Sequence, residues 1–590
     1  MSSDVSKPKA TQLTATLAGR MLFGKSGESL KLDSPWCHEA GNRGITLAWA
    51  GRPCFEDGGP AEFLAGFRES HWKDPAAFLQ RIRGPFAMAV CEPANSRCLL
   101  AIDRLGIMPL AYRKEGSQLL FSSTLDPIRQ SASESLELDP QAIFDYLYFH
   151  MIPAPRTIYR GVCKLEPGSF AICSPEGCHS GRYWEIPYRE ESLTRTEAAE
   201  QLRHLLSTAV DNNLDMENTG SFLSGGLDST TVSGYLSQHE PKPRQAFSVG
   251  FDAEGYDETP WARAAAEHFG LRLNIYYVTP EDVMDALPKI AAAYDEPFGN
   301  ASAIPAYFCA QQAREHGMDC LLAGDGGDEL FAGNSRYAKQ LLFAHYDRLP
   351  QWLRQHILQP LAHQDTPLHG LPGISKAVSY IRQASLPMPE RMESYNLLRR
   401  SGLENVFTPE FLAHIEPGAE LRYLNSAYRG NDHMTLLKHM LALDMKITLA
   451  DNDLRKVSHM CRLAGIEVRY PMLDESLVEF AAGLPSHWLL EKGRLRSFYR
   501  QSLTDFLPRS TLEKSKHGFG LPFGVWAAEH PGLRELADDA LSKIGQRGWI
   551  NPGYIGKLRG LHTAEHAAYY GVMIWILIML QSWQNAHDIN

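Results

Sequence analysis

Ser224-Gly225-Gly226-Leu227-Asp228-Ser229 has the composition of a loop that holds an anion. Adjacent glycines permit positive φ and let the backbone approach a ligand closely. Successive N–H groups then form a concave nest, and the N-terminus of a following helix adds positive potential. Ser224 and Ser229 supply hydroxyl donors. Asp228 is anionic, as phosphate is, so its expected role is to hold a hard, oxygen-preferring cation such as Mg2+.

A second loop, Ala323-Gly324-Asp325-Gly326-Gly327-Asp328-Glu329, is also acidic and glycine-rich and also follows a short apolar run. In an open parallel sheet, the loops at strand C-termini converge on one crevice. Asp228 and Asp328 are therefore expected to share a metal ion. The first loop lacks the lysine of the GxxxxGK[ST] pattern. It resembles instead the PP-loop of enzymes that split ATP between its α and β phosphates.

Each loop needs a strand before it and a helix after it. Ser221–Leu223 and Cys320–Ala323 read as such strands, Ala246–Val249 as a third, and Trp261–Phe269 as a helix. Ala198, Leu202, Leu205 and Leu206 fall at helical spacing within 196–213. This alternation predicts a doubly wound parallel sheet from about residue 194, followed beyond about 340 by a mostly helical C-terminal part. Residues up to about 190 differ: short β-like runs such as 44–49, 86–90 and 99–102 are separated by turn formers. Two domains are expected, 1–190 and 191–590.

Composition narrows the function. The 590 residues carry a net charge of −11 with no long Lys/Arg block, which disfavours nucleic-acid binding. Met1–Thr16 has no apolar signal core, and Val572–Leu580 is too short to span a bilayer, so it reads as a buried helix. The ten cysteines show no CxxC pair and no zinc-ligand spacing, and read as reduced thiols in a cytoplasmic protein.

The motifs taken in order resemble the asparagine synthetase B family along nearly the whole chain. The second half has SFLSGGLDSTT, YDEPFGNASAIPAY (294–307), LLAGDGGDELFAG (321–333), DNDLRKVSHM (451–460), EVRYPMLD (467–474) and KSKHGFGLPFGVW (514–526). The first half resembles the family's glutaminase domain more weakly, through RGPFAMAV (83–90) and AIDRLGIMPLAY (101–112). The resemblance implies an N-terminal α+β sandwich of the Ntn-hydrolase type ahead of the α/β synthetase unit. It implies ATP and Mg2+ as cofactors and places Leu223, Val249 and Gly324 at the adenosine and ribose. Asp228 and Asp328 fall at the magnesium positions, Lys516 where a lysine neutralises departing pyrophosphate, and Asp325 where an acid receives the incoming amine. Lys456 reads as a further phosphate contact or as a salt bridge on a helix surface.

Several positions depart from the family pattern. Its glutaminase uses Cys at position 2, where this chain has Ser2, and no Asn-Gly-Glu stretch is present. Cys37 and Cys54 lack the free α-amine that such chemistry uses. A degenerate glutaminase fold is the expectation. Asn300 replaces a commonly acidic residue, Ser458 and His459 replace an Asp-Arg pair, and Asn334 replaces an aromatic. The expected activity is an ATP-dependent, amide-forming ligase. It adenylates a small-molecule or peptide carboxylate and joins it to ammonia or an amine, without glutaminase activity of its own. Two alternatives stand beside it: an intramolecular cyclase like the β-lactam synthetases and lasso-peptide cyclases, and an inactive nucleotide-binding scaffold. No nucleic-acid or membrane partner is expected, and a homodimer is left open.

Overall fold

The computed structural model describes residues 16–23, 30–40, 44–56, 58–361, 374–428, 430, 434–514 and 520–589. Two antiparallel sheets form the N-terminal third. The five-stranded sheet runs Cys163–Lys164, Ala111–Glu115, Gln118–Ser122, Ala18–Leu22, Leu30–Asp33. The six-stranded sheet runs Gly177–Arg182, Ser169–Ser174, Arg97–Ile102, Phe86–Glu92, Ile45–Gly51, Trp36–Ala40. Alternation along each strand sets what each face meets. Ala87, Ala89 and Cys91 face the other sheet and join Met21, Leu119 and Phe121 in one core. Phe86, Met88 and Val90 point the other way, onto Phe63, Phe67 and Phe78. Leu120, on the outer face of the five-stranded sheet, shares a core with Ile128 of the helix Asp126–Ser131. Small residues of the six-stranded sheet meet larger ones of the five-stranded sheet between the two, and helices cover both outer faces, which gives a helix–sheet–sheet–helix stack. This is the α+β sandwich expected from the resemblance.

The thiols need a correction. Cys91, Cys98, Cys173 and Cys178 lie in register across four adjacent strands. Cys173 and Cys178 form a disulfide, and the other eight cysteines are free. Strand pairing places these two directly opposite each other, with Cα atoms 4.1 Å apart. Sequence spacing alone carries no information about that register.

The C-terminal unit is built on five parallel strands: β1 (Thr219–Phe222), β2 (Gln245–Phe251), β3 (Arg272–Val278), β4 (Cys320–Leu322) and β5 (Glu467–Arg469). Their order is β3-β2-β1-β4-β5. Connections leave β1 toward one edge and reach β4 on its other side, so the topological switch point lies between β1 and β4. The helices used below are α1 (Arg195–Asp211), α2 (Leu227–Leu236), α3 (Thr259–Phe269), α4 (Ala303–Glu315), α5 (Gly327–Phe331), α6 (Leu454–Leu463) and α7 (Ala567–Ala586). Thr194 and Glu197 form a reciprocal capping box that starts α1. Ala246 packs on Ala262, Ala265 and Ala266 of α3. Its neighbour Phe247 points to the opposite face, into the core that holds Ala306 and Ala310 of α4. Helices therefore cover both faces, and a mostly helical region follows from Ser335 onward.

Val572 is exposed, but Met573 through Leu580 are buried in α7. Among the described residues, no helix is long and apolar enough to cross a membrane. α7 instead ties the halves together, since Tyr146 Oη donates to the Ile576 carbonyl at 2.7 Å. Other ties are ionic. Glu475 accepts from the Gly84 N–H at 2.8 Å and pairs with Arg104 at 2.9 Å. Asp295 and Glu296 of the YDEP segment also face the N-terminal half, taking the Leu125 N–H at 2.6 Å and the Lys164 ammonium.

Candidate active site

Both glycine loops leave the sheet at the switch point, one after β1 and one after β4. They meet there: a Cβ placed on Gly324 would stand 2.7 Å from the Ser229 backbone nitrogen. Gly225 has φ of 69°, and a Cβ on it would lie 2.6 Å from the Ala262 nitrogen of α3. The loop is thus wedged against a helix as well as turned in the left-handed region. Its own bonds hold it open toward the cleft: Ser224 and Ser229 Oγ atoms are 3.0 Å apart, and Gly226 N–H donates to Ser224 Oγ at 3.3 Å. α2 then begins, with its first-turn N–H groups directed at the same space.

Gly225→Ala is expected to weaken ATP binding at least tenfold and to cost about 1–3 kcal/mol of stability, through both strain and collision. Gly226→Ala is the control, because its Cβ would meet only the Ser224 hydroxyl at 3.2 Å. Calorimetric titration with ATP checks the pair. Equal behaviour of the two variants would remove the argument for Gly225.

The loops open onto a cavity of about 800 Å³. Leu223, Ser224, Gly226, Leu227, Asp228, Ser229, Val249, Gly324, Asp325 and Asp328 all line it, and Gly225 forms the turn beneath. Lys516 lies outside the described residues.

The cleft has two electrostatic ends. At the glycine-loop end, Arg496 forks onto Asp228, with Nη1–Oδ1 at 2.5 Å and Nη2–Oδ2 at 2.7 Å, and Nη2 also reaches Asp328 Oδ1. A planar guanidinium suits such bidentate pairing. Arg496 is buried and has φ of 55°, a left-handed backbone that a non-glycine residue rarely adopts. Burial opposes its charge, but Asp228 and Asp328 outweigh that and raise its pKa. Arg494 and Arg500 line the same end. Lys514 joins them, donating to the Ser224 carbonyl at 3.0 Å and pairing with Glu258 at 2.9 Å. Burial lowers the Arg500 pKa, and repulsion from Arg496 and Arg494 adds to it. Four cations, Arg494, Arg496, Arg500 and Lys514, stand here beside the acids Asp228, Asp328, Glu258 and Glu513, and a polyphosphate can draw on the cations. Asp228 and Asp328 already converge on one cation, and Mg2+ is satisfied by a few carboxylates completed with water and phosphate oxygens. These two residues would hold it.

The other end is acidic. Burial pushes the Asp325 carboxyl up to about 6, against the pull of the Lys456 ammonium. Burial also raises Glu329 well above the usual range, and Asp328, Asp453 and Asp444 add to the shift. Lys456 pairs with Asp453 at 2.7 Å within the cleft, not on an outer helix surface. Burial would lower its pKa, but Asp453 and Asp325 hold it above the ordinary value. The chain reaches this point through a π-helical segment, Met445–Asp453, that runs into α6. Such widened turns recur at functional sites. Asn300 bridges to Asn452 at 2.8 Å beside this end. His459 is not part of it: the ring stacks on Tyr294 and burial drives its pKa far down. Asn334 serves as an N-cap for Arg336.

Sequence reading missed Arg496, Arg500, Lys514 and Glu329. Arg494, Arg496 and Arg500 form a visible basic cluster after Gly493, but nothing local says that it returns to a loop some 270 residues earlier. Cys37 and Cys54 are exposed, and burial and Glu39 raise the Cys37 thiol, which is the wrong direction for a nucleophile.

Residues 201–585 match the asparagine synthase family, and residues 69–184 match the glutamine amidotransferase domain. The chain is similar to the glutamine-hydrolyzing asparagine synthetase 1 of Bacillus subtilis strain 168, at 26% identity over 89% of this chain and 80% of that one. It is also similar to the glutamine-hydrolyzing asparagine synthetase 3 of the same organism, at 23% identity over 74% and 67%. The amidase chry2 of Gibberella zeae is 24% identical over 44% of this chain and 41% of its own length.

Proposed function

Because the chain belongs to the asparagine synthase family, we propose that it forms an amide in two steps within the bipolar cleft, without hydrolysing glutamine itself. A substrate carboxylate oxygen attacks the α-phosphorus of ATP, and the bond to the β-phosphate oxygen breaks. Pyrophosphate leaves and an acyl-adenylate remains. An amine or ammonia then attacks the acyl carbon, AMP leaves with the bonding pair, and the proton from nitrogen passes to Asp325.

The observation that carries this reading is the polarity of the cleft. Its cationic end, with Arg496, Arg500 and Lys514, suits the triphosphate and the developing charge on pyrophosphate. Its acidic end, with Asp325, Glu329 and Asp453, draws an ammonium ion and offers a group that can take its proton. Leu223 and Val249 give an apolar wall beside the loop for the adenosine. Mg2+ held by Asp228 and Asp328 would neutralise phosphate charge when bound. The lack of an Asn-Gly-Glu stretch for the glutamine amide supports independence from glutamine.

Pyrophosphate release tests the reading. Purified protein is supplied with ATP, Mg2+ and pools of carboxylic acids, together with ammonium, primary amines or glutamine, and Asp228→Ala is the blank. Release that depends on a carboxylate and on Asp228, with amide formed from ammonium or an amine and not from glutamine, is expected. Amide formation with glutamine alone would overturn the glutamine-independent part. Release of orthophosphate instead of pyrophosphate would overturn adenylation.

A further inference from the structure

A second cavity, of about 540 Å³, lies between the N-terminal sandwich and the parallel sheet. α6 separates it from the cleft. Lys456 and Val457 line the first cavity, whereas Arg455, Ser458 and Arg462 line the second. Those three stand at i, i+3 and i+7 and so share one helix face. The N-terminal half supplies the opposite wall, including Arg52, Gly84 and Asp103.

Most charges on these walls are paired. Arg52 lies 3.7 Å from Glu467 and 3.8 Å from Asp215, Arg469 also pairs with both, and Arg83 pairs with Glu475. Arg455 and Arg462 differ. Among the described residues, neither forms an ion pair. Arg455 donates only to the carbonyls of Ala450 and Gly106. The Arg462 guanidinium has no hydrogen-bond partner among those residues.

The acids around them are committed elsewhere. Asp103 accepts the N–H groups of Leu105, Ile107 and Met108 at 3.1, 3.0 and 2.8 Å. Asp295 accepts from Leu125, and Asp451 holds Lys446 at 2.5 Å. Burial depresses the pKa of both guanidinium groups; Asp451 and Asp103 offset part of this at Arg455 and Asp295 at Arg462, where repulsion from Arg455 adds to the depression. Holding two half-buried cations with no acid in direct contact is costly. A cavity of this size is in the range of small-molecule sites.

We propose that this cavity binds a small dianionic oxyanion, a dicarboxylate or a phosphate, between Arg455 and Arg462. Arg462 supplies a positive fork, Arg455 the Nη1 that it does not spend on carbonyls, and Ser458 a hydroxyl, held 2.7 Å from the Tyr470 Oη. The assignment does not depend on the adenylation reading, because it concerns the opposite face of α6.

The test is calorimetric titration of the full chain with succinate and with inorganic phosphate, a non-hydrolysable ATP analogue being present throughout to fill the first cleft. One of the two anions is expected to bind, which identifies the chemistry. Arg462→Met should weaken that binding at least tenfold and leave affinity for the ATP analogue unchanged. Without any anion, the same variant should melt higher than the parent, because a half-buried charge with no acid in direct contact is gone. Arg455→Met provides the same readouts should the first variant misfold. Failure of both anions to bind, or affinity unchanged in both variants, would overturn the proposal. So would a lowered melting temperature in both, which is what purely structural arginines give.

Discussion

Arg496→Met loses stability in the C-terminal unit, and Mg2+ restores a large part of the loss. The expected cost is about 3–5 kcal/mol, the usual penalty for removing one partner of a buried ion pair. Asp228 and Asp328 both lean on this guanidinium. Without it, two carboxylates lose the guanidinium they share at the switch point. A divalent cation can take that place, whereas in the parent protein it must compete with a resident charge. Urea unfolding with and without Mg2+ is therefore expected to show a small metal effect in the parent and a large one in the variant. Equal metal effects in the two proteins would mean that Arg496 and the metal do not share a position.

The backbone supplies an internal control. Arg496 sits at φ of 55°, where glycine is unstrained and other residues pay roughly 1 kcal/mol or more. Arg496→Gly removes the same charge but also relieves that strain, so it should be less destabilised than Arg496→Met. A residue kept in a costly conformation at the centre of a cleft implies that its position matters more than its local comfort.

The sequence showed some of this molecule well and some of it not at all. Strand-then-glycine patterns marked β1 and β4, because parallel strands buried on both faces read as short apolar runs. The spacing of Ala198, Leu202, Leu205 and Leu206 marked α1, while the Thr194–Glu197 capping box that starts it emerged from the structure. Both loops were legible because glycine, serine and aspartate each have a local reason to be there. Partners that arrive from far along the chain were not legible. Arg496 reaches Asp228 from a distant helix start, and Lys514 reaches Ser224. Cys173 meets Cys178 only because the hairpin sets their register. The YDEP acids, conspicuous in the sequence beside Asn300, turn out to brace the N-terminal half at Leu125 and Lys164. Ser458 and His459 sit side by side on α6, yet one faces the second cavity and the other stacks on Tyr294. A difference of one helical position, about 100° of rotation, separates those roles.

Asp325→Asn separates chemistry from stability, and pH shows which is which. The folded protein holds the Asp325 proton up to about pH 6, whereas an unfolded aspartate releases it near about pH 4. The folded state therefore binds the proton more tightly. Its stabilising contribution is complete below about pH 4, falls as pH rises toward 6, and stays low above that. Asparagine removes the titration, so variant and parent should match near pH 4, and the variant should be more stable at pH 7.5 by on the order of 1–3 kcal/mol. The lower part of that range is favoured because Asp325 lines the open cleft and keeps some water. Lys456 retains Asp453 as a partner in the variant. Activity should move the opposite way. Amide formation should fall by roughly 100- to 10,000-fold, the contribution of a positioned base, while carboxylate-dependent exchange of pyrophosphate into ATP survives. In the parent, amide formation should rise with pH along a limb centred near 6. A variant that gains stability and loses only the second step has lost a base. One that gains stability and keeps both steps shows that the proton goes elsewhere, and Glu329, the other buried acid of that end, becomes the residue to change.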